Sequence, residues 1–334
     1  MEYILNESAY KTTNGFKINN IKLDLDIPEI NDIKTFNDDS IIQEIVNKEL
    51  SNKIGLSFNK YLDVNINLDN EEKVLTYEFN KDNSNLITNI TINVKDNTVN
   101  HLYLIFKSLD ESFNINYVNI NTSLTSASLN LTVINLLNNN SYSFIAYDNE
   151  VKNLSLLVNN HIDIGGNIKV NNYYSELLGE QSSNMLNTLY IGKDNNKLDY
   201  NYHIKNISPK TDSYIRTEGI LKDEAYKQHK GIIDFIEGCK KSKGEELENC
   251  VLLSDKAISR SCPMLMCHEE DVEGAHGVST GKIDKDKLFY LESRGYTEEE
   301  VKKLIILSNF NKILGCMKNQ DIKNMVYEYL DKII

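Results

Sequence analysis

Short segments in which every second residue is apolar recur between residues 71 and 283, and no other feature restricts the fold of this 334-residue chain so tightly. Examples are NITINV (Ile90, Ile92, Val94), HLYLIF (Leu102, Leu104, Phe106), NLSLLV (Leu154, Leu156, Val158) and HIDIGGNIKV (Ile162, Ile164, Ile168, Val170). A strand points successive side chains to opposite faces, so the pattern predicts many short strands, each with one face on a core. Spacing alone leaves a sandwich, a barrel and a β-helix open. Three features favour a coiled solenoid. Asn is abundant at the turns, the whole chain has 3 Pro, and strands follow one another without intervening helices. No strict repeat accompanies them.

The flanks differ. Residues 1–70 read as a mixed segment with one helix, because DDSIIQEIVNKEL places Ile41, Ile42, Ile45 and Leu50 near helical spacing behind Asp39 or Ser40 as a cap. Residues 284–334 read as helical. Asp284 caps a first helix, Gly295 suits its stop, and Thr297 with Glu300 forms a capping box. Val301, Leu304, Ile305 and Phe310 then give an apolar stripe, and DIKNMVYEYLDKII supplies a last helix. Such a segment serves either as a docking element or as a cap on an open end of the β body, and the two roles are compatible.

Apolar residues at 40% suffice for a core, while a net charge of -13 argues against nucleic acid as a ligand, since phosphate binding needs clustered Lys and Arg. The start of the chain shows no basic leader followed by an apolar run, and no stretch approaches the length of a membrane span. An odd count of 5 Cys fits a reducing cytosol better than a disulfide framework. A cytoplasmic protein without a membrane anchor is expected.

The stretch CPMLMCHEEDVEGAHGVSTGK, residues 262–282, concentrates Cys262, Cys267, His268, His276, Glu269, Glu270, Asp271 and Glu273. Thiolate, imidazole and carboxylate together suit iron or zinc better than magnesium or calcium. On a strand entering a turn, Glu273 and His276 meet across a bend that Gly274 and Gly277 permit. The spacing is neither a closed zinc motif nor a four-cysteine iron–sulfur run. The residues alone therefore leave two readings open: an exposed or shared metal site, or a solvated acidic turn over a buried thiol. Elsewhere, Cys239 and Cys250 bracket the charged loop KKSKGEELEN and read as isolated thiols near strand ends. Cys316 reads as structural, His101 and His161 as satisfied edge histidines, and His203 and His229 have no assigned role.

The stretch from LLSDKA through the H-G-x-S-x-G-x-I run around His276 to D-x-L-F-Y-L-x-S-R-G from Asp286, with the EEEVKKLII helix, resembles the C-terminal core of the SufB/SufD family. These are scaffold components of the SUF iron–sulfur assembly machinery. The resemblance is confined to residues 205–315. It implies a right-handed parallel β-helix core over 71–283, flanked by the N-terminal segment and by C-terminal helices that dock a SufC-type ABC ATPase. It also implies a scaffold rather than an enzyme, holding a transient iron–sulfur cluster at a dimer interface. The absence of G-x-x-x-x-G-K-S/T agrees with hydrolysis by the partner.

His276 sits where the family places a histidine near that interface. Longer SufB members follow it with glutamate, whereas this chain has Gly277, which shifts that role toward Glu273 or Glu270. For the family's cysteine, Cys267 ranks above Cys250. The expected metal ligands are thus His276, Cys267, Glu273, Glu270 and Cys250. The chain is shorter than SufB and looks like compact scaffolds that work as a homodimer, with a SufB/SufD-like heterodimer as the other arrangement. A sulfur donor and apo-protein acceptors complete the expected partners. A purely architectural SufD-like subunit is the alternative, and a polysaccharide-cleaving β-helix using Glu270 and Glu273 is a remote third.

Overall fold

The computed structural model describes residues 2–5, 21–24, 41–45, 61–315 and 317–333. Strands β1 (Glu2–Leu5) and β2 (Ile21–Asp24) form a short antiparallel pair, and two long sheets face each other. One has nine strands in the spatial order β18 (Ile258–Cys267), β16 (Tyr226–Phe235), β14 (Lys197–Asn206), β12 (Ile168–Leu177), β10 (Tyr142–Val151), β8 (Ile115–Leu124), β6 (Asn85–Val94), β4 (Tyr61–Leu68) and β3 (Ile41–Ile45). The other has eight: β19 (Val272–Lys282), β17 (Ser242–Leu252), β15 (Asp212–Leu221), β13 (Ser183–Gly192), β11 (Leu156–Asp163), β9 (Ser128–Leu136), β7 (Val99–Ser108) and β5 (Glu72–Phe79). From β4 onward, consecutive strands alternate between the sheets, and each pairs in parallel with the strand one coil away. This is the right-handed parallel β-helix, of about 8 turns.

The lumen between the sheets changes character along its length. Early coils fill it with Val64, Ile66, Leu75, Phe79, Ile90, Leu104 and Phe106, all within 1% of fully buried. Later coils line it with Asn159, His161, Asp163, Lys169, Lys227, His229, Glu246 and Glu248, which are all buried to within 3%. At the corners, Asn97, Ser126, Leu154, Gln181, Asp194, Lys210, Asp223 and Lys241 take positive φ, where the chain must turn sharply.

Three helices follow: α1 (Lys285–Glu292), α2 (Glu298–Leu314) and α3 (Gln320–Ile333). Their caps are those expected. The Asp284 side chain accepts from the Asp286 amide at 2.9 Å, and Thr297 and Glu300 bond reciprocally at 3.2 and 2.8 Å. Gly295 takes φ +96. Helices α2 and α3 fold back on the outer face of the eight-stranded sheet. Ile306, Phe310, Ile313 and Leu314, then Ile322, Val326 and Leu330, pack on Tyr103, Ile105, Ile134, Ile162, Leu189, Ile191 and Ile220. Lys312 Nζ anchors the contact on Glu218 at 2.9 Å.

Three expectations need correction. Residues 41–45 form β3, antiparallel to β4, where a helix was expected; the β-branched Ile41, Ile42 and Ile45 pair readily in a sheet. The rest of the expected helix lies outside the described residues. In NLSLLV the inward residue is Leu157, while Leu154 is 65% exposed and Leu156 36%. The buried stripe of α2 includes Ile306 and excludes Leu304, which is 44% exposed.

Candidate functional site

The two sheets end at β18 and β19, and the lumen opens there. Strand β17 alternates buried and exposed residues, whereas β19, one coil further, is exposed almost throughout. Parallel register identifies which residues continue the inward rows, because a strand repeats the facing of its in-register neighbour. His276 stands above Glu246, Val278 above Glu248 and Thr280 above Cys250. Across the lumen, Ser261 stands above His229, Leu265 above Ile233 and Cys267 above Phe235. Two expected ligands, Cys267 and His276, therefore lie on the inward rows of the open end, and both are exposed.

The other three expected ligands sit elsewhere. The expected bend does not form, since residues 272–282 are one strand: Glu273 is on the outward row, opposite in facing to His276, in register with Lys243 and paired with it at 3.0 Å. Glu270 is exposed in the turn between β18 and β19. Cys250 lies a coil below the opening at 1% exposure. Burial pushes its thiol up, against the pull of the Lys227 charge and of contacts with Tyr190 and Ser259. Cys239 is buried in the corner below Cys267, and burial raises its thiol too. Cys262 is exposed and in register with Lys230. Cys316 lies outside the described residues. As the side chains stand, no group of three or more His, Cys, Asp and Glu among the described residues is ready to hold a metal ion.

Immediately beneath the opening is a charged lumenal cluster that was not recognised in the sequence. Lys227 and Glu248, both fully enclosed, form an ion pair, and Lys227 also donates to Ser261 Oγ at 2.9 Å. His229 Nδ1 lies 3.2 Å from Glu248 Oε2 and 3.8 Å from Glu246 Oε1. Burial, reinforced by the Glu248 charge, pushes the Glu246 carboxyl up to about 8. Burial would raise Glu248 as well, but His229 and Lys227 overcome it and hold that carboxyl below its ordinary value. Gly231 leaves the space the Glu246 carboxyl fills: a Cβ there would stand 1.8 Å from Glu246 Oε1. The segment KKSKGEELEN is thus partly strand rather than a charged loop. Its signal was the period-two placement of Glu246, Glu248 and Cys250.

The histidines also differ from expectation. His161 is not at an edge but in the lumen, its Nδ1 2.8 Å from the Tyr147 hydroxyl and its Nε2 3.8 Å from Asp163. His101 meets Lys318 at 3.2 Å, and burial, followed by the Lys318 charge, lowers its pKa. Among the described residues, no helix is long and apolar enough to cross a membrane.

A family model described as the SUF system FeS cluster assembly, SufBD core domain, matches residues 77–309. Curated relatives agree. The chain is 25% identical over 158 residues to iron-sulfur cluster assembly protein SufD of Bacillus subtilis, covering 47% of this chain and 36% of that protein. It is 24% identical over 163 residues to SufD of Escherichia coli, covering 49% and 38%. An iron-sulfur cluster assembly SufBD family protein of Pyrococcus horikoshii is 36% identical over 90 residues, covering 27% and 20%. The matches therefore span little more than a third of either SufD.

Proposed function

The chain belongs to the SufBD family of the SUF iron–sulfur assembly system, and from that premise we propose that it is an assembly scaffold whose open lumenal end receives nascent cluster as cargo. The observation that carries this reading is the placement of Cys267 and His276 on the inward rows of the two terminal strands, both reachable from outside. Thiolate and imidazole are the donors iron–sulfur clusters accept, and clusters are ordinarily held by four ligands. One chain offers two there, with Glu273 and Glu270 nearby on the outward row and the turn. A second copy across a two-fold axis doubles the set, so a homodimer or a SufB/SufD-like pair completes it.

ATP hydrolysis belongs to a SufC-type ABC ATPase. Helices α2 and α3 spend their apolar faces on the chain's own sheet, so the dock falls to what stays outside: Phe289 at 72%, Tyr290 at 56%, Tyr296 at 46% and Leu304 at 44% exposed. A cytoplasmic setting, a sulfur donor and apo-protein acceptors follow from the same role. A second reading, an architectural SufD-like subunit that docks the ATPase and holds no cluster, is favoured by the matches to SufD.

Anaerobic co-expression with the cognate ATPase separates the two. Iron, acid-labile sulfide and visible absorption are measured for wild type and for Cys267→Ala, Cys250→Ala and His276→Ala. Colour and sulfide that disappear in Cys267→Ala and His276→Ala support the scaffold. A stable, colourless wild-type complex refutes it and favours the architectural subunit.

A further inference from the structure

Outside the lumen, His203, Asp234 and His268 form a diagonal across the outer face of the nine-stranded sheet. His203 on β14 is in register with Ile232, and Asp234 lies two residues further along β16. Asp234 is in register with Met266, and His268 lies two residues beyond that, where its amide continues the ladder by donating to Phe235 O at 2.8 Å. Each step moves one strand across and two residues along, which keeps all three side chains on the outward row.

Asp234 is the centre of this arrangement. Its side chain is 7% exposed, with Oδ2 3.4 Å from His203 Nε2 and Oδ1 3.8 Å from His268 Nε2. Oδ1 is enclosed and has no hydrogen-bond partner. A buried carboxylate oxygen left this way costs free energy unless something positive meets it. The neighbouring ammonium of Lys205 is engaged with Glu176 at 3.7 Å and lies over the Tyr174 ring at 5.2 Å.

We propose that His203, Asp234 and His268 bind one divalent transition-metal ion, the carboxylate lying between two imidazoles. Two donors about 2.0–2.2 Å from a common cation stand roughly 3.0–3.5 Å apart. The His203–Asp234 distance of 3.4 Å meets that spacing, and the His268–Asp234 distance of 3.8 Å exceeds it by a few tenths. The site is completed on binding by a small swing of His268, whose side chain is 58% exposed. Two imidazoles and one carboxylate with positions left for water suit iron(II), cobalt(II) or zinc(II). This site is distinct from the lumenal opening: Cys267 and His268 are consecutive, and consecutive strand residues face opposite sides.

The test uses the full chain, stripped of metal and titrated anaerobically with cobalt(II) alone. One equivalent is expected to bind, with visible d–d absorption and without thiolate charge-transfer absorption. Asp234→Asn and His268→Ala should each weaken binding more than the roughly 10–100-fold cost of an outer-shell change. The losses in Asp234→Asn and His268→Ala should persist when each is combined with Cys267→Ala, which removes the thiol at the lumenal opening. His268 is exposed, so its variant should keep the wild-type circular dichroism, and His268→Gln repeats the test in a second side chain. A wild type that takes up no cobalt, unchanged binding in Asp234→Asn and His268→Ala, or loss of the band in Cys267→Ala each overturns the proposal. The inference stands apart from the scaffold reading, since cluster retention at Cys267 and His276 is measured separately.

Discussion

Replacing Glu246 by Gln tests whether the lumen stores a proton beneath the open end. The carboxyl is 1% exposed, and its pKa rises from an ordinary 4.5 to about 8, by burial first and the Glu248 charge second. Between those two values the native state holds one proton that the unfolded chain has released. Stability from this group is therefore complete below pH 4.5 and declines as pH rises, until the native carboxyl itself ionises near 8. At about 1.4 kcal/mol per pH unit, the span from 4.5 to about 8 limits the effect to roughly 5 kcal/mol. Gln occupies the same volume and carries no proton to lose, so the space left by Gly231 still accommodates it. The stability of Glu246→Gln relative to wild type should thus increase by about 3 kcal/mol between pH 5.5 and pH 7.5, then level off above pH 8. Urea unfolding followed by far-UV circular dichroism gives the measurement, since the chain has no Trp. A difference that stays constant with pH, or that shrinks as pH rises, would refute the argument.

Lys227→Met leaves Glu248 charged and buried, so it should destabilise by about 3–5 kcal/mol, and adding Glu248→Leu should recover most of that; no recovery in the double variant counts against the pairing. Gly219→Ala puts a Cβ 1.9 Å from Tyr190 Cζ and should cost at least about 1–3 kcal/mol, read as a lowered unfolding midpoint. Phe310→Ala removes a fully buried ring between α2 and the sheet and should cost about 3–5 kcal/mol. Its effect should appear as faster proteolysis within residues 298–314 while the solenoid stays resistant.

Much of this architecture could be read from the sequence, and the failures have physical causes. The alternation of Leu102, Leu104 and Phe106 gave both strand and facing, because the lumen there is apolar. The same rule misassigned Leu154, Leu156 and Val158. On the eight-stranded sheet the outer face is itself partly apolar, since Ile162 and Ile164 lie under the helices, so alternation marks a strand without telling inside from outside. Caps were read correctly at Asp284 and Thr297 because capping is local chemistry. The lumenal charges were missed for the opposite reason. Lys227, Glu246 and Glu248 look like surface residues unless the partner strand that encloses them is known. At the candidate site the sequence supplied the residue types, but the facing of Cys267 and His276 required the register.

The parallel register also governs how a chain of this kind can vary in length. A residue's partner in the next coil lies 26 positions on between Tyr142 and Ile168, and 32 on between Tyr226 and Ile258. Corners take up that difference of a few residues, while the strands tolerate none, because a single insertion would swap every lumenal side chain for an outward one. Larger gains or losses are therefore restricted to whole coils, like floors in a building. Inserting or removing one within the apolar section would leave the terminal floor, with Cys267 and His276, intact. Related chains can then differ greatly in length and still carry the same end.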